Sequence, residues 1–398
     1  MGTRLNCITN NTLKNLMKNV YLALGLIAIL GVTVTAFLWS SNSSPTEGSL
    51  VSKNIEEKVY VALEGEGKVA VVNPIDSRVM STIDLSRKEG EETIRYMAHN
   101  VQVAPDGKNV LVTANVEEHM EMENGAMSGE SPTSHGQNFD ELIIIDPLQD
   151  VITQRIPIDT DSHLAHVVLT PDSTTAFVTL QEKGKIYSVD LASGNVLSKI
   201  DLGEKSGPHG LRITPDGSEM FIALLDGNAL AVLNTKTGDI RKIALPGAAV
   251  QTAVTPDGAY AFSSVYDAKQ IMWLDRQSDE QGLIALPNES RGPVQLYPTP
   301  DSKYLYVADQ GYYFDQPTSN VVYRIDIARK TVDKTIVAGA APHGVVVNAA
   351  GTRAYVTNLL SDDLTIIDTN TNQEITRIPV GDMPNGVSVW TAKSGGTP

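Results

Sequence analysis

Hydrophobic and polar positions divide the chain into two unlike parts. Residues 20–39 (VYLALGLIAILGVTVTAFLW) carry no charged side chain. From about residue 52 onward the apolar positions come in short runs broken by turn residues. The clearest copies are VAPDGKNVLVTAN at 103, LTPDSTTAFVTLQ at 169 and ITPDGSEMFIALL at 213, followed by VTPDGAYAFSSVY, PTPDSKYLYVADQ and VNAAGTRAYVTNL. Each reads as an apolar strand, a tight reversal of the Pro-Asp-Gly type, and a second strand rich in Val, Tyr and Phe. A third strand follows (KIYSVDL, ALAVLNT, DLTIIDT, ELIIIDP), then a fourth (NVLSKIDL, QEITRIPV). Four antiparallel strands repeat at about 43 residues, a period that signals propellers or solenoids. Radial four-stranded units make a β-propeller.

The blade count follows from the ends. Full units begin near Val101, Val167, Leu211, Thr252, Leu296 and Val345. The N-terminal side supplies KVYVAL, KVAVVNP and RVMSTIDL, three strands lacking an innermost one; the C-terminal side supplies VSVW, an innermost strand alone. Together they make a seventh blade, and this closure removes free sheet edges. The expectation is an all-β, seven-bladed β-propeller over residues 52–393, ending in a short tail, 394–398. Before it, residues 20–39 are long enough to cross a bilayer as a helix. Arg4, Lys14 and Lys18 precede them and no positive charge follows until Lys53, which places residues 1–19 in the cytoplasm and the propeller across the membrane, in the periplasm or on the cell surface. The run exceeds a usual signal-peptide core and lacks an Ala-x-Ala site, so it reads as an uncleaved transmembrane signal anchor. Residues 40–51 read as a flexible linker.

Charge and cysteine content narrow the chemistry. The 398 residues carry a formal charge of −16, which argues against nucleic acid as a partner. Cys7 is the only cysteine, excluding an intrachain disulfide, a Cys-based zinc site and c-type haem attachment. No G-x-S-x-G elbow and no phosphate loop occur. The turn aspartates Asp106, Asp216 and Asp257 are structural.

Tyr355-Val356-Thr357-Asn358 matches the signature of the YVTN β-propeller repeats outright, and Pro208-His209-Gly210 and Pro342-His343-Gly344 look like the start of that family's inner strand. The repeat resembles this family over most of the chain. The resemblance implies a propeller and says little of function. Cell-surface and binding proteins are among its relatives, and the haem d1 domain of nitrite reductase and the copper-binding propeller of nitrous-oxide reductase are more distant ones.

The histidines give the sharper signal. His99, His209 and His343 share one repeat position, each eight residues before a turn glycine; His166 lies one place later in its own repeat, and His163 precedes it by three. All five are expected in loops entering inner strands, at the mouth of the central channel. His119 and His135 fall in a long insertion of the second blade, with Met120, Met122, Met127 and four glutamates, on the same face. Imidazoles and thioethers together suit a metal site, copper ahead of zinc, with a haem iron held by one histidine as a further possibility. The competing reading is a structural histidine bonded to a backbone carbonyl, with the insertion no more than a solvated loop. Tyr312 and Tyr313, with Arg291 nearby, could bind a flat or anionic cofactor, or pack on their own blade. Three functions stand open: a metal-binding module, or subunit of a membrane or redox complex; a metal-free surface scaffold; and a copper- or haem-dependent oxidoreductase.

Overall fold

A computed structural model describes residues 56–117 and 138–392. Their strands form seven four-stranded antiparallel sheets, the seven blades of a propeller. Blade 1 is built from Glu57–Leu63, Lys68–Asn73 and Arg78–Asp84, and takes its innermost strand, Pro384–Thr391, from the other end of the chain. The expected closure is therefore the observed one. The inner strands of blades 2 to 7 are Tyr96–Val103, Leu164–Leu169, Pro208–Ile213, Ala249–Val254, Pro293–Pro298 and Pro342–Val347. A small hairpin that the sequence pattern does not announce, Arg87–Glu89 with Glu92–Ile94, links blade 1 to blade 2.

Burial grades outward along each blade. Inner and middle strands are nearly continuous apolar runs because both faces pack against neighbouring blades, whereas fourth strands such as Ile240–Ala244 are largely exposed. The core lies between blades: Tyr60, Ala62 and Val69 of blade 1 meet Val101, Val110 and Ile143 of blade 2. Side chains also lock the closing blade. Lys58 pairs with Asp150 at 2.8 Å and Trp390 Nε1 donates to Gly107 O at 2.8 Å, both toward blade 2; Tyr355 OH donates to Glu57 from blade 7.

The turn aspartates do what the sequence implies. Asp216 Oδ1 accepts from Ser218 N at 3.0 Å, and Gly217 beside it has φ 69°, a conformation that favours glycine. No helix among the described residues is long and apolar enough to cross a membrane. The anchor at 20–39, its flanking segments and the tail lie outside the described residues, as do His119, Met120, Met122 and His135.

Candidate metal centre

Every inner strand carries a β-bulge near its start. Register shifts fall between Ala98 and Asn100, Leu164 and Val167, Pro208 and Leu211, and at the same place in the other blades. A bulge lets the strand continue while re-aiming one or two side chains. That corrects the expectation for the histidines. His99, His166, His209 and His343 are on the inner strands, not in the loops before them, because Pro208 and Pro342 already pair with the second strand, opposite Leu224 and Asn358. His163 alone remains in its loop, with φ 48°.

Hydroxyls from the second strands fasten these bulges. Thr179 Oγ1 accepts from His166 N at 2.9 Å and donates to His209 O of the next blade at 2.8 Å. Thr357 accepts from Gly344 N and donates to Asn385 O, both at 2.7 Å, and Thr113 and Ser264 repeat the bridge. The Thr of the Tyr-Val-Thr-Asn signature is thus an inter-blade stitch. Blade 4 has Ala223 there, and His209 Nδ1–H donates to Val250 O at 2.8 Å instead. The glycine of Pro-His-Gly is a matter of clearance: a Cβ on Gly344 would lie 2.5 Å from Asn385 O.

The bulges bring the five described histidines together. One ring nitrogen each from His99, His166 and His209, on three successive blades, lies within 4.8 Å of the other two, and all three residues are buried. The His166 and His209 rings are 4.9 Å apart between centroids; His99 is 5.6 Å from His209, and His163 stands edge-on to His99 at 5.2 Å. His343 lies beyond this trio, its Nδ1 2.7 Å from Gln310 Nε2 and its ring edge-on to Tyr313. The Nε2 atoms of His99, His166 and His343 are buried without a hydrogen-bond partner among the described residues. A buried nitrogen in that state calls for a partner that the described residues do not supply.

What surrounds each ring decides how it could serve. A metal-bound histidine usually donates its second ring N–H to a carboxylate or carbonyl. His209 does so through Val250 O, and His99 faces Glu64 Oε1 at 3.6 Å. Glu64 also accepts from Asn385 Nδ2 at 2.6 Å and Tyr313 OH at 2.9 Å. Burial alone would raise its carboxyl, but hydrogen bonding and charge from His99, with Asn385 and Tyr313, prevail and hold it at about 2. His166 is held differently. Gln251 Oε1 accepts from Thr252 N at 2.8 Å, so its Nε2 faces His166 Nδ1 at 3.3 Å and donates to it. Burial, reinforced by neighbouring histidines, pushes His163 down to about 4 and His343 to about 3, and His166 and His209 well below the usual imidazole range. These four imidazoles are neutral at pH 7, the state a metal requires.

Glu64, Gln251, Gln310 and Asn385 are the site residues that sequence reasoning missed. Gln251 and Asn385 stand at bulge positions equivalent to the histidines, a signal the repeat does contain; Glu64 and Gln310 carry none. Of the aromatic loop, Tyr313 reaches Glu64 and His343 at the channel mouth, while Phe314 stacks on Tyr266 of the preceding blade at 3.7 Å. Tyr312 is half-buried beside Tyr313, and Arg291 is tied through its backbone N–H to Asp309.

Solved structures similar to this chain are propellers. Kuenenia stuttgartiensis hydrazine synthase aligns with a TM-score of 0.59 at 17% identity, over 74% of this chain and 95% of that one. A functionally unknown protein from Desulfotomaculum acetoxidans aligns at 0.62 and 16%, over 84% and 99%. Virginiamycin B lyase from Staphylococcus aureus aligns at 0.57 and 17%, over 74% and 91%. At such identities the likeness establishes the fold. No protein-family model and no curated protein matches the chain, so the resemblance to YVTN repeats rests on the repeat alone.

Proposed function

We propose that this chain is a membrane-anchored, extracytoplasmic propeller that binds a transition metal at its channel mouth, as a binding module or a subunit of a membrane or redox complex. The carrying observation is the buried trio His99, His166 and His209, whose ring nitrogens lie within 4.8 Å of one another. A metal held at about 2.0–2.1 Å by each would set those nitrogens about 3.4 Å apart, so loading draws the rings inward by roughly an ångström. His99 and His209 already have the outer contacts of metal ligands. His166 joins them when the Gln251 amide turns over and accepts its Nδ1–H. Copper is the favoured ion, because Met120 and Met122 of the blade 2 insertion would add soft thioethers, and His119 and His135 further imidazoles, to the donor set.

The test is metal content by mass spectrometry on the chain purified from its own host without added metal. About one copper per chain, lost in His166→Ala, supports the proposal. A chain that holds no metal and takes up neither copper nor zinc refutes it.

The Glu64–His99 contact favours a second reading. A half-buried carboxylate beside an imidazole and the Tyr313 hydroxyl is the equipment of acid–base catalysis. Activity of that kind would survive chelation and be lost in Glu64→Gln.

A further inference from the structure

Below the histidines the channel changes character. Three residues on from His209 the same inner strand carries Arg212, roughly 10 Å further along the channel at the rise of a β-strand. At this level the other blades present Gln102, Val168, Ala253, Tyr297, Val346 and Ser388. A cavity of about 610 Å³ opens here, bounded by Pro105, Pro256 and Pro300 of the turns on the face opposite the histidines. Among the described residues, Arg212 is the one charged side chain lining it.

That guanidinium is uncompensated. Its Nη1 donates to Leu211 O at 2.9 Å, and no carboxylate among the described residues lies within ion-pairing distance. Burial pushes its pKa down, opposed only by Tyr297. A partly buried charge without a counter-charge is costly, and guanidinium is built for two-point contact with an oxyanion. The turn aspartates of this face do not neutralise it; Asp106, Asp216 and Asp257 are bonded to the backbone N–H groups of their own turns. The Tyr297 hydroxyl makes no hydrogen bond within the described residues and supplies a second donor. Val346, Val387, Val389 and Pro298 add apolar surface to the wall, beside the polar Gln102, Ser388 and Thr391.

From these observations we infer that the lower channel is a binding site for a small organic carboxylate, held by Arg212 and Tyr297 with its hydrocarbon part against the valines. The cavity is within the size range of small-molecule sites. The inference is independent of the metal reading, since no histidine takes part.

Calorimetric titration of the full-length chain with benzoate, acetate and inorganic phosphate, in chelator and in chloride-free buffer, tests it. Benzoate is expected to bind more tightly than acetate or phosphate. Arg212→Gln should weaken benzoate about 10- to 100-fold, the loss of charge-assisted hydrogen bonds, and Tyr297→Phe should weaken it less. If Arg212→Gln fails to fold, Arg212→Lys keeps the charge and loses the fork, and should still weaken benzoate. No benzoate binding to the parent chain, or equal affinity in the Arg212 variants, overturns the inference. Binding that appears only with added metal and ignores Arg212 also overturns it, and would place the anion among the histidines.

Discussion

Thr179→Val removes one hydroxyl and keeps the side chain's shape, so it isolates the inter-blade stitch. In the parent chain that oxygen serves two buried backbone groups, accepting from His166 N and donating to His209 O. Valine leaves both unpaired. An orphaned buried group costs about 1–3 kcal/mol, and some relaxation is expected, so the two together should cost about 2–4 kcal/mol. For a domain of roughly 320 residues that corresponds to about 3–6 °C in melting temperature. The assay is thermal and urea unfolding of the metal-free protein at neutral pH. Because both groups belong to histidine bulges, metal titration of the same variant should also show weaker binding. A melting temperature within 1 °C of the parent would refute the reasoning, showing that the bulges are held by the backbone alone.

The remaining predictions test the site and the closure. His209→Ala should lower stability by about 1–2 kcal/mol through the orphaned Val250 carbonyl; adding Ala223→Ser should restore stability, measured by urea unfolding, without restoring metal. Gln251→Glu should tighten metal binding about tenfold in a competition titration, since a carboxylate can accept from Thr252 N and His166 Nδ1–H together. His163, His166, His209 and His343 have pKa values below their unfolded value, about 4 for His163 and about 3 for His343, so the unfolded chain binds more protons over a window that opens below about pH 6.5. Stability is therefore full above 6.5 and falls with acidification through that window, by up to about 1.4 kcal/mol per pH unit for each histidine; equal urea midpoints for metal-free protein at pH 7 and pH 5 would contradict this. Trp390→Phe removes the bond to Gly107 O and should cost about 1 kcal/mol in the same assay.

What the sequence discloses and what it withholds have separate physical causes. KVYVAL, KVAVVNP and RVMSTIDL fall on the three outer strands of blade 1, and VSVW within its inner strand, because repeat period and strand alternation are local properties of the chain. The gathering of His99, His166 and His209 was legible because they stand at neighbouring positions of one repeat. The bulges were not: a bulge leaves no gap in the apolar pattern, so the pattern starts the inner strands three to five residues late and puts the histidines in loops. Nor was Glu64 legible beside His99. It follows the first strand of one blade and reaches the bulged strand of the next, a meeting that depends on the geometry of the closed structure rather than on spacing along the chain.

Joining the first strands to the last has a consequence for synthesis. Glu57 leaves the ribosome about 330 residues before its mates at Pro384–Thr391. At about 5–20 residues per second, the intervening chain takes on the order of 16–65 s to appear. Throughout that interval a nascent blade 1 presents an unpaired inner edge, open to any extended chain nearby. A chain that stopped short of Pro384 would hold six finished blades and a permanently open gap, a defect that quality-control proteases and chaperones could recognise without inspecting the rest. Arrival of the closing strand is thus reported by the fold itself.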